Sequence, residues 1–508
     1  MIKNEIVFEL IKSMGKSEKR YFKLFTSKQK GNKNYLILFD AMDRQKSYDE
    51  DALVKLFSAP AVKNFNLTRQ YLYSLLLKSL HGFHSGSSTD AELKENLHYV
   101  EVLFGKGLYR QCEKLLPKIK RLAYRHEKHL QILEILSWEK NLLQNQGVKL
   151  SSGKSIEDIL AEEETVLKKL DNEQKYYAIS NTLFKRYTTH NKARNEAEVK
   201  AYEKIVSHEL CSREDKALSY NSKYEYHYIK ELYYYATGDL TESYNHLKKV
   251  VSLAESHPGG IERASSRYLT ALANYCYLCY LVKKYDECLE IIRKMRAIPA
   301  KSLKEKADIF RTSYIRELEL YTHKGEYSKG LSIIRDVTDG MEVYRGKIGN
   351  ASIVALYFYI ARIYFGAENY SASLQWLNRI FNSPELKNYS VDIHCFAHIM
   401  NLVVHFELGN TDLLEYIVKS TYRFLYKRQK LYKFESMVLN FIHRKLPKIR
   451  SESQLIPVFR EMRKNLIKLT EDPFEANVLD YFDFISWLES RIENKSFAEI
   501  IQQKNKGV

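Results

Sequence analysis

A pattern that returns every forty-odd residues constrains this chain more than any other feature. A unit that short cannot bury its own apolar face and has to pack on its neighbours. Six segments share a turn, an aromatic or aliphatic anchor and an apolar helix: Gly107-Leu108-Tyr109, Gly238-Asp239-Leu240, Lys283-Lys284-Tyr285, Gly325-Glu326-Tyr327, Glu368-Asn369-Tyr370 and Gly409-Asn410-Thr411. From Leu240 onward successive anchors are 45, 42, 43 and 41 residues apart.

The positions around each anchor repeat as well. Three residues on stand Cys112, Ser243, Cys288, Gly330, Ser373 and Leu414, so five of the six are small enough to let a second helix approach closely. Seven residues on, Leu116, Leu247, Ile292, Ile334, Leu377 and Val418 are all aliphatic, and ten on come Ile119, Val250, Met295, Val337, Ile380 and Thr421. Steps of 3, 7 and 10 keep these side chains on one face of a helix. Six residues before the anchors, Leu103, Tyr234, Cys279, Tyr321, Tyr364 and His405 mark the inward face of a preceding helix. Each unit therefore reads as a helical hairpin, with Pro258, Pro299 and Pro384 as stop signals. The repeat-packing set expected from this register is Leu240, Ser243, Leu247, Tyr285, Cys288, Ile292, Tyr327, Gly330, Ile334, Tyr370, Ser373 and Leu377.

On these residues the chain resembles the tetratricopeptide repeat family, whose turn, anchor, small residue, large apolar residue and terminal proline match Gly238-Asp239-Leu240, Ser243, Leu247 and Pro258. It departs from the family in its longer period and in lacking the early tryptophan, so this is a divergent, long-period likeness. The resemblance implies an all-α fold, a right-handed α-solenoid of hairpins with a groove that binds a protein or peptide. The gap between Tyr109 and Leu240 spans about three periods, which places two degenerate hairpins there, their second helices near 155–170 and 195–208.

Three regions follow: a helical N-terminal domain at 1–85, the repeat array at 90–445 and a C-terminal helical cap at 446–508. In the first, helices are expected at 2–13, 18–25, 35–43 and 67–83, with a short apolar segment at 53–57 and a Ser/Gly-rich linker from His84 to Asp90. The last reads as helices at 454–469, 474–492 and 497–503, covering the final apolar face. Only 8 prolines and 19 glycines interrupt 508 residues, which favours long helices over hairpin-rich sheets. A first segment with charges between its apolar residues and no apolar run of membrane-spanning length point to a soluble, cytoplasmic protein. Six cysteines give no disulfide framework.

Motifs for chemistry are weak. Gly15-Lys16-Ser17 and Gly153-Lys154-Ser155 lack the glycine a phosphate loop needs five positions earlier, where Leu10 and Val148 stand. Cys276 and Cys279 have no second ligand pair at finger spacing, and the pairs His394 with His398 and His126 with His129 are no stronger. No nucleophile elbow is present, so no enzyme activity, cofactor or metal is expected.

Two basic runs stand out, 12–33 and 419–450. In the second, Lys419, Arg423, Lys427 and Lys430 share a helical face, flanked by Arg428, Lys433 and Tyr422. Such a face can neutralise phosphates beside stacking tyrosines, giving nucleic acid or ribosome contact as the alternative to a protein or peptide partner. In a chain of net charge +17, basic runs also arise as ordinary solvated faces. The segment Asn66–Leu72, with Arg69 and Gln70 near its start, is open to a helix-turn-helix reading or to an ordinary cap at Thr68. The sign of a peptide groove is tyrosine, asparagine and arginine along its inner side. In that case Tyr234, Tyr321 and Tyr364 pack hairpins and do not touch ligand.

Overall fold

The computed structural model describes residues 5–27, 33–56, 64–86, 88–146, 153–193, 195–257, 265–300, 302–387, 389–427, 433–446, 452–471 and 482–506. Among them the regular structure is entirely helical, and no helix is long and apolar enough to cross a membrane. Two compact units divide at Leu167 and Lys168.

The first unit, Met1–Leu167, contains α1 (Ile6–Ser13), α2 (Lys16–Ser27), α3 (Asn34–Arg44), α4 (Glu50–Val54), α5 (Phe65–His84), α6 (Thr89–Gly105), α7 (Tyr109–Arg125) and α8 (His129–Gln146). Helices α2 and α3 pack on α5 around Phe22, Leu38, Phe39, Leu72 and Leu76. Ser88 ends the expected linker by capping α6, its Oγ accepting from the Ala91 amide at 3.1 Å. Helix α9 (Ile156–His190) begins here and continues into the second unit. It runs 35 residues, well past the helix end expected near 170.

The second unit, Lys168–Val508, adds α10 (Glu196–Val206), α11 (Tyr220–Thr237), α12 (Leu240–Ser256), α13 (Ser265–Leu281), α14 (Tyr285–Arg296), α15 (Leu303–Lys324), α16 (Tyr327–Val343), α17 (Asn350–Gly366), α18 (Tyr370–Phe381), α19 (Val391–Glu407), α20 (Thr411–Lys427), α21 (Lys433–Asn440), α22 (Glu452–Thr470), α23 (Phe484–Glu493) and α24 (Phe497–Lys506). Each odd-numbered helix from α11 to α19 packs on the helix that follows it, and α13, α15, α17 and α19 also pack in succession on one another. Pro299 and Pro384 follow the ends of α14 and α18, while Pro258 lies outside the described residues.

One turn closes all six hairpins. The amide just before each anchor donates to the carbonyl of the residue six before it: Leu108 to Leu103, Asp239 to Tyr234, Lys284 to Cys279, Glu326 to Tyr321, Asn369 to Tyr364 and Asn410 to His405, at 2.6 to 3.0 Å. The residue between is left-handed in every case, at Gly107, Gly238, Lys283, Gly325, Glu368 and Gly409. This is the helix-terminating arrangement that satisfies the last carbonyls while reversing the chain. It fixes where the next helix starts.

The small residue three past the anchor then lets the hairpin close. Cys112 donates to the Val100 carbonyl at 3.6 Å, Cys288 to Cys276 at 3.4 Å and Ser373 to Ala361 at 2.9 Å, each reaching back twelve residues. At Gly330 there is no room for a side chain, since a Cβ would stand 2.4 Å from Ile363 Cδ1. Ser243, Leu247, Cys288, Ile292, Tyr327, Gly330, Ile334, Ser373 and Leu377 are buried, and Leu240, Tyr285 and Tyr370 are half-buried.

The C-terminal helices do more than close the last hairpin. Phe459 of α22 meets Phe406 and Phe441, but α23 and α24 return along the turns of the preceding hairpins. Trp487 Nε1 and Arg491 Nε donate to Glu407 Oε1 at 2.6 and 2.9 Å at the end of α19. Phe482 and Phe497 set their rings against Phe365 at the end of α17. Gln502 Nε2 donates to the Gly325 carbonyl at 2.8 Å, Asn505 Nδ2 to the His323 carbonyl at 2.7 Å, and Tyr285 Oη to Asn505 Oδ1 at 3.0 Å. Of the helix expected at 474–492, the described part is α23 from Phe484, capped by Asp483, which accepts from the Ser486 amide at 2.8 Å. Residues 472–481 lie outside the described set.

Gly325 shows how close this strap lies. A Cβ there would meet the Ala498 carbonyl at 3.0 Å and Ile501 Cβ at 3.2 Å, whereas at Gly409 nothing lies within 4 Å. Both glycines are left-handed, so alanine costs about 1 kcal/mol at either. Gly325→Ala is expected to cost roughly 1 to 2 kcal/mol more than Gly409→Ala in urea unfolding, through the added crowding. Removing residues 497–508 should erase that difference, and equal costs in the full chain would show that the strap does not sit on this turn.

Candidate binding cavity

The odd-numbered helices present one face to the second helices and another to a shared cavity of about 620 Å³. Tyr228, Glu231 and Tyr235 come from α11, Thr270, Asn274 and Tyr277 from α13, Arg316 and Glu319 from α15, Ala355 and Tyr359 from α17, and Asp392 and Ile393 from the start of α19. Phe184 and Tyr187 of α9 also line it. In α11, α13, α15 and α17 the residues named are three, four or seven apart, as a single helical face supplies, so the cavity follows from packing these helices side by side. Tyrosine, asparagine and arginine are all among its lining residues, while Tyr234, Tyr321 and Tyr364 are not.

Its polar groups fall into two sets. Arg316 Nη1 donates to Glu319 Oε2 at 2.5 Å, and Tyr359 Oη donates to Glu319 Oε1 at 2.7 Å. Burial alone would raise the Glu319 carboxyl, but the adjoining Arg316 guanidinium and the tyrosine hydroxyls outweigh it and hold the group below its ordinary value. Arg316 also lies over the Tyr277 ring, 5.3 Å from its centre. Its charge is therefore already engaged.

Glu231 is different. It is 5% exposed and, among the described residues, has neither a hydrogen bond nor an ion pair. Desolvation pushes its carboxyl up to about 8, so it carries a proton at neutral pH. No catalytic or ligand motif surrounds Glu231 in the sequence. The run of tyrosines from Tyr224 to Tyr235 was the available clue.

The other sites singled out in the sequence are mostly taken up by packing and capping. The Gly15 amide donates to Glu18 Oε2 at 2.6 Å, and the Ser155 amide to Asp158 Oδ2 at 2.9 Å, so in each Gly-Lys-Ser segment a carboxylate of the chain already takes a backbone amide. Cys276, Cys279 and Cys288 are buried, and the Cys288 thiol is pushed far up by its hydrogen bonding with Cys276 and Cys279, in which it keeps its proton, and by burial. His394 bonds the Leu386 carbonyl, and His398 stacks between Phe381 and Phe424. Arg69 is buried over Phe65 and donates to Asn66 Oδ1 at 2.9 Å, which removes it from any surface that could read a nucleic-acid groove. Thr68 is not a cap either, because α5 already starts at Phe65.

The basic runs behave unequally. In the first, Lys12 donates to the Asp43 carbonyl, Lys19 pairs with Asp43 at 2.6 Å and Lys23 with Asp40 at 2.7 Å. In the second, Lys419, Arg423, His443 and Arg444 line one cleft with Tyr422. Tyr422 and Tyr426 are exposed and stacked, 6.0 Å apart. Lys419 also pairs with Glu415 at 2.6 Å. Lys427 and Lys433 are exposed and do not line the cleft, while Arg428 and Lys430 lie outside the described residues.

Glu231 gives a pH test. Its folded value of about 8 exceeds the ordinary 4.5, so between those values the folded chain holds a proton that the unfolded chain has lost. Stability therefore falls as pH rises through this window. Glu231→Gln should match the wild type in urea unfolding at pH 5 and exceed it at pH 9, by on the order of a few kcal/mol. A variant that loses stability at pH 9 would mean the carboxylate is paired. No family model, curated protein or solved structure matches the chain.

Proposed function

We propose that this chain is a non-enzymatic interaction protein that binds a protein or peptide segment along the cavity face of α11, α13, α15 and α17. The observation that carries the reading is the lining itself, an open row of tyrosine, asparagine and arginine side chains on the faces of successive first helices. Tyrosines give large contact area with a polar tip at low entropic cost, which suits recognition. In this reading the hairpins form a right-handed, tetratricopeptide-like solenoid. Its support is the single turn geometry shared by all six hairpins and the succession of α13, α15, α17 and α19. The step from that architecture to binding is an analogy of fold.

A second reading, nucleic-acid contact, is favoured by one observation: three cations and an exposed tyrosine border the cleft at Arg423 and Arg444. Phosphate neutralisation there would make binding steeply salt-dependent. The two readings separate cleanly. Affinity capture from a cell extract with the wild type, Thr270→Trp and Arg423→Glu/Arg444→Glu should show partners that survive nuclease and disappear with Thr270→Trp, since Thr270 is exposed on the cavity wall. Partners that vanish with nuclease and with the double charge reversal, but not with Thr270→Trp, would transfer the function to the basic cleft.

A further inference from the structure

We propose that the cavity is a recognition site for an organic cation, an alkylammonium or guanidinium group, with Glu231 as its carboxylate partner and tyrosines as its walls. This rests on the cavity being the binding face, and it names the chemistry that face selects.

Glu231 stands apart from the other buried acids of its unit. Other buried acids of the unit hold a cation: Glu225 pairs with Arg267, Glu317 with Arg296, Glu319 with Arg316 and Glu489 with Arg463. Glu231 alone of these five stands without one among the described residues, although it is just as buried. An acid left unpaired in a protein interior is costly, and a bound cation is what would offset it. The carboxyl lines a cavity that remains open, so the missing partner has space to enter.

The surroundings select the sign and shape of that partner. Among the lining residues, Glu231, Glu319 and Asp392 are acidic and Arg316 alone is basic, in a chain of net charge +17. Arg316 is committed to Glu319 at 2.5 Å, so it offers an anion little. Tyr228, Tyr235 and Tyr277 surround the space with ring surfaces, and cations already use two of them: Lys192 lies 4.5 Å from the centre of Tyr235 and Arg316 5.3 Å from that of Tyr277. Aromatic faces beside a carboxylate are the usual means of holding an ammonium or guanidinium group away from water. About 620 Å³ admits a lysine or arginine side chain with the backbone that carries it.

The cation has two sources, a peptide side chain or a free amine, and calorimetry on the full chain distinguishes them. The probes are pentalysine, pentaglutamate and spermidine, titrated into the wild type, Glu231→Gln and Arg423→Glu/Arg444→Glu. Pentalysine is expected to bind the wild type and the charge-reversal variant alike and to lose at least tenfold in affinity with Glu231→Gln, while pentaglutamate does not bind the cavity. A second readout is proton release. A cation beside Glu231 displaces its proton, so at pH 7 the observed heat should vary with the buffer's ionisation enthalpy. The variant should lose that dependence. The other titratable or charged groups facing the site are Tyr187, Tyr224, Tyr228, Tyr235, Tyr277 and Tyr359, with Arg316, Glu319 and Asp392 along the walls and Lys192 over the Tyr235 ring.

Spermidine binding with the same loss in Glu231→Gln would support the site with a free amine as its ligand. Equal affinities of wild type and Glu231→Gln for pentalysine, or no binding by either cationic probe, would overturn it. Thr270→Trp keeps the two readings apart. If it abolishes partner capture while Glu231→Gln changes neither capture nor cation affinity, the cavity remains the binding face and only the cation chemistry falls.

Discussion

The hydrogen bond that closes each hairpin turn is the constraint from which the rest follows. A helix cannot end without leaving carbonyls to satisfy, and here one amide, placed by one left-handed residue, does this six times in the same register. Because the bond fixes the first residue of the second helix, it also fixes which side chains of that helix face back. The small residue three positions on and the aliphatic residue seven positions on are consequences of that register.

In the second unit the same geometry leaves the first helices of successive hairpins adjacent. Their inward sides are consumed by the second helices, and their remaining sides meet around a common cavity. Residues more than 150 positions apart, Glu231 and Asp392 among them, reach one space although no local motif connects them. The strap formed by α23 and α24 uses the opposite resource, the carbonyls and ring edges at the turns near Gly325, Phe365 and Glu407. It joins four hairpins that otherwise contact mainly their neighbours.

How much of this was legible depended on the range of the interaction. The hairpins could be read because the residues that define them lie within a dozen positions of the anchor, and even the turn carbonyls at Leu103, Tyr234, Cys279, Tyr321, Tyr364 and His405 stood at a constant offset. Lys283 and Glu368 adopt a conformation that favours glycine, which only the register of their neighbours could suggest. The continuous run of α9 was hidden because its apolar residues do not keep the repeat spacing. The strap and Glu231 were illegible for a deeper reason, since their surroundings come from helices up to 220 residues away, as the contact of Tyr285 with Asn505 shows.

Amide hydrogen exchange at the turns tests this account most directly. Each of Asp239, Lys284, Glu326, Asn369 and Asn410 sits in a loop, where an unbonded amide would exchange at the rate of a free peptide. If these turn bonds hold the array, all five amides exchange as slowly as those in the middle of α13 and α17. Exchange at the free-peptide rate in any three of them, with the helices still protected, would contradict it.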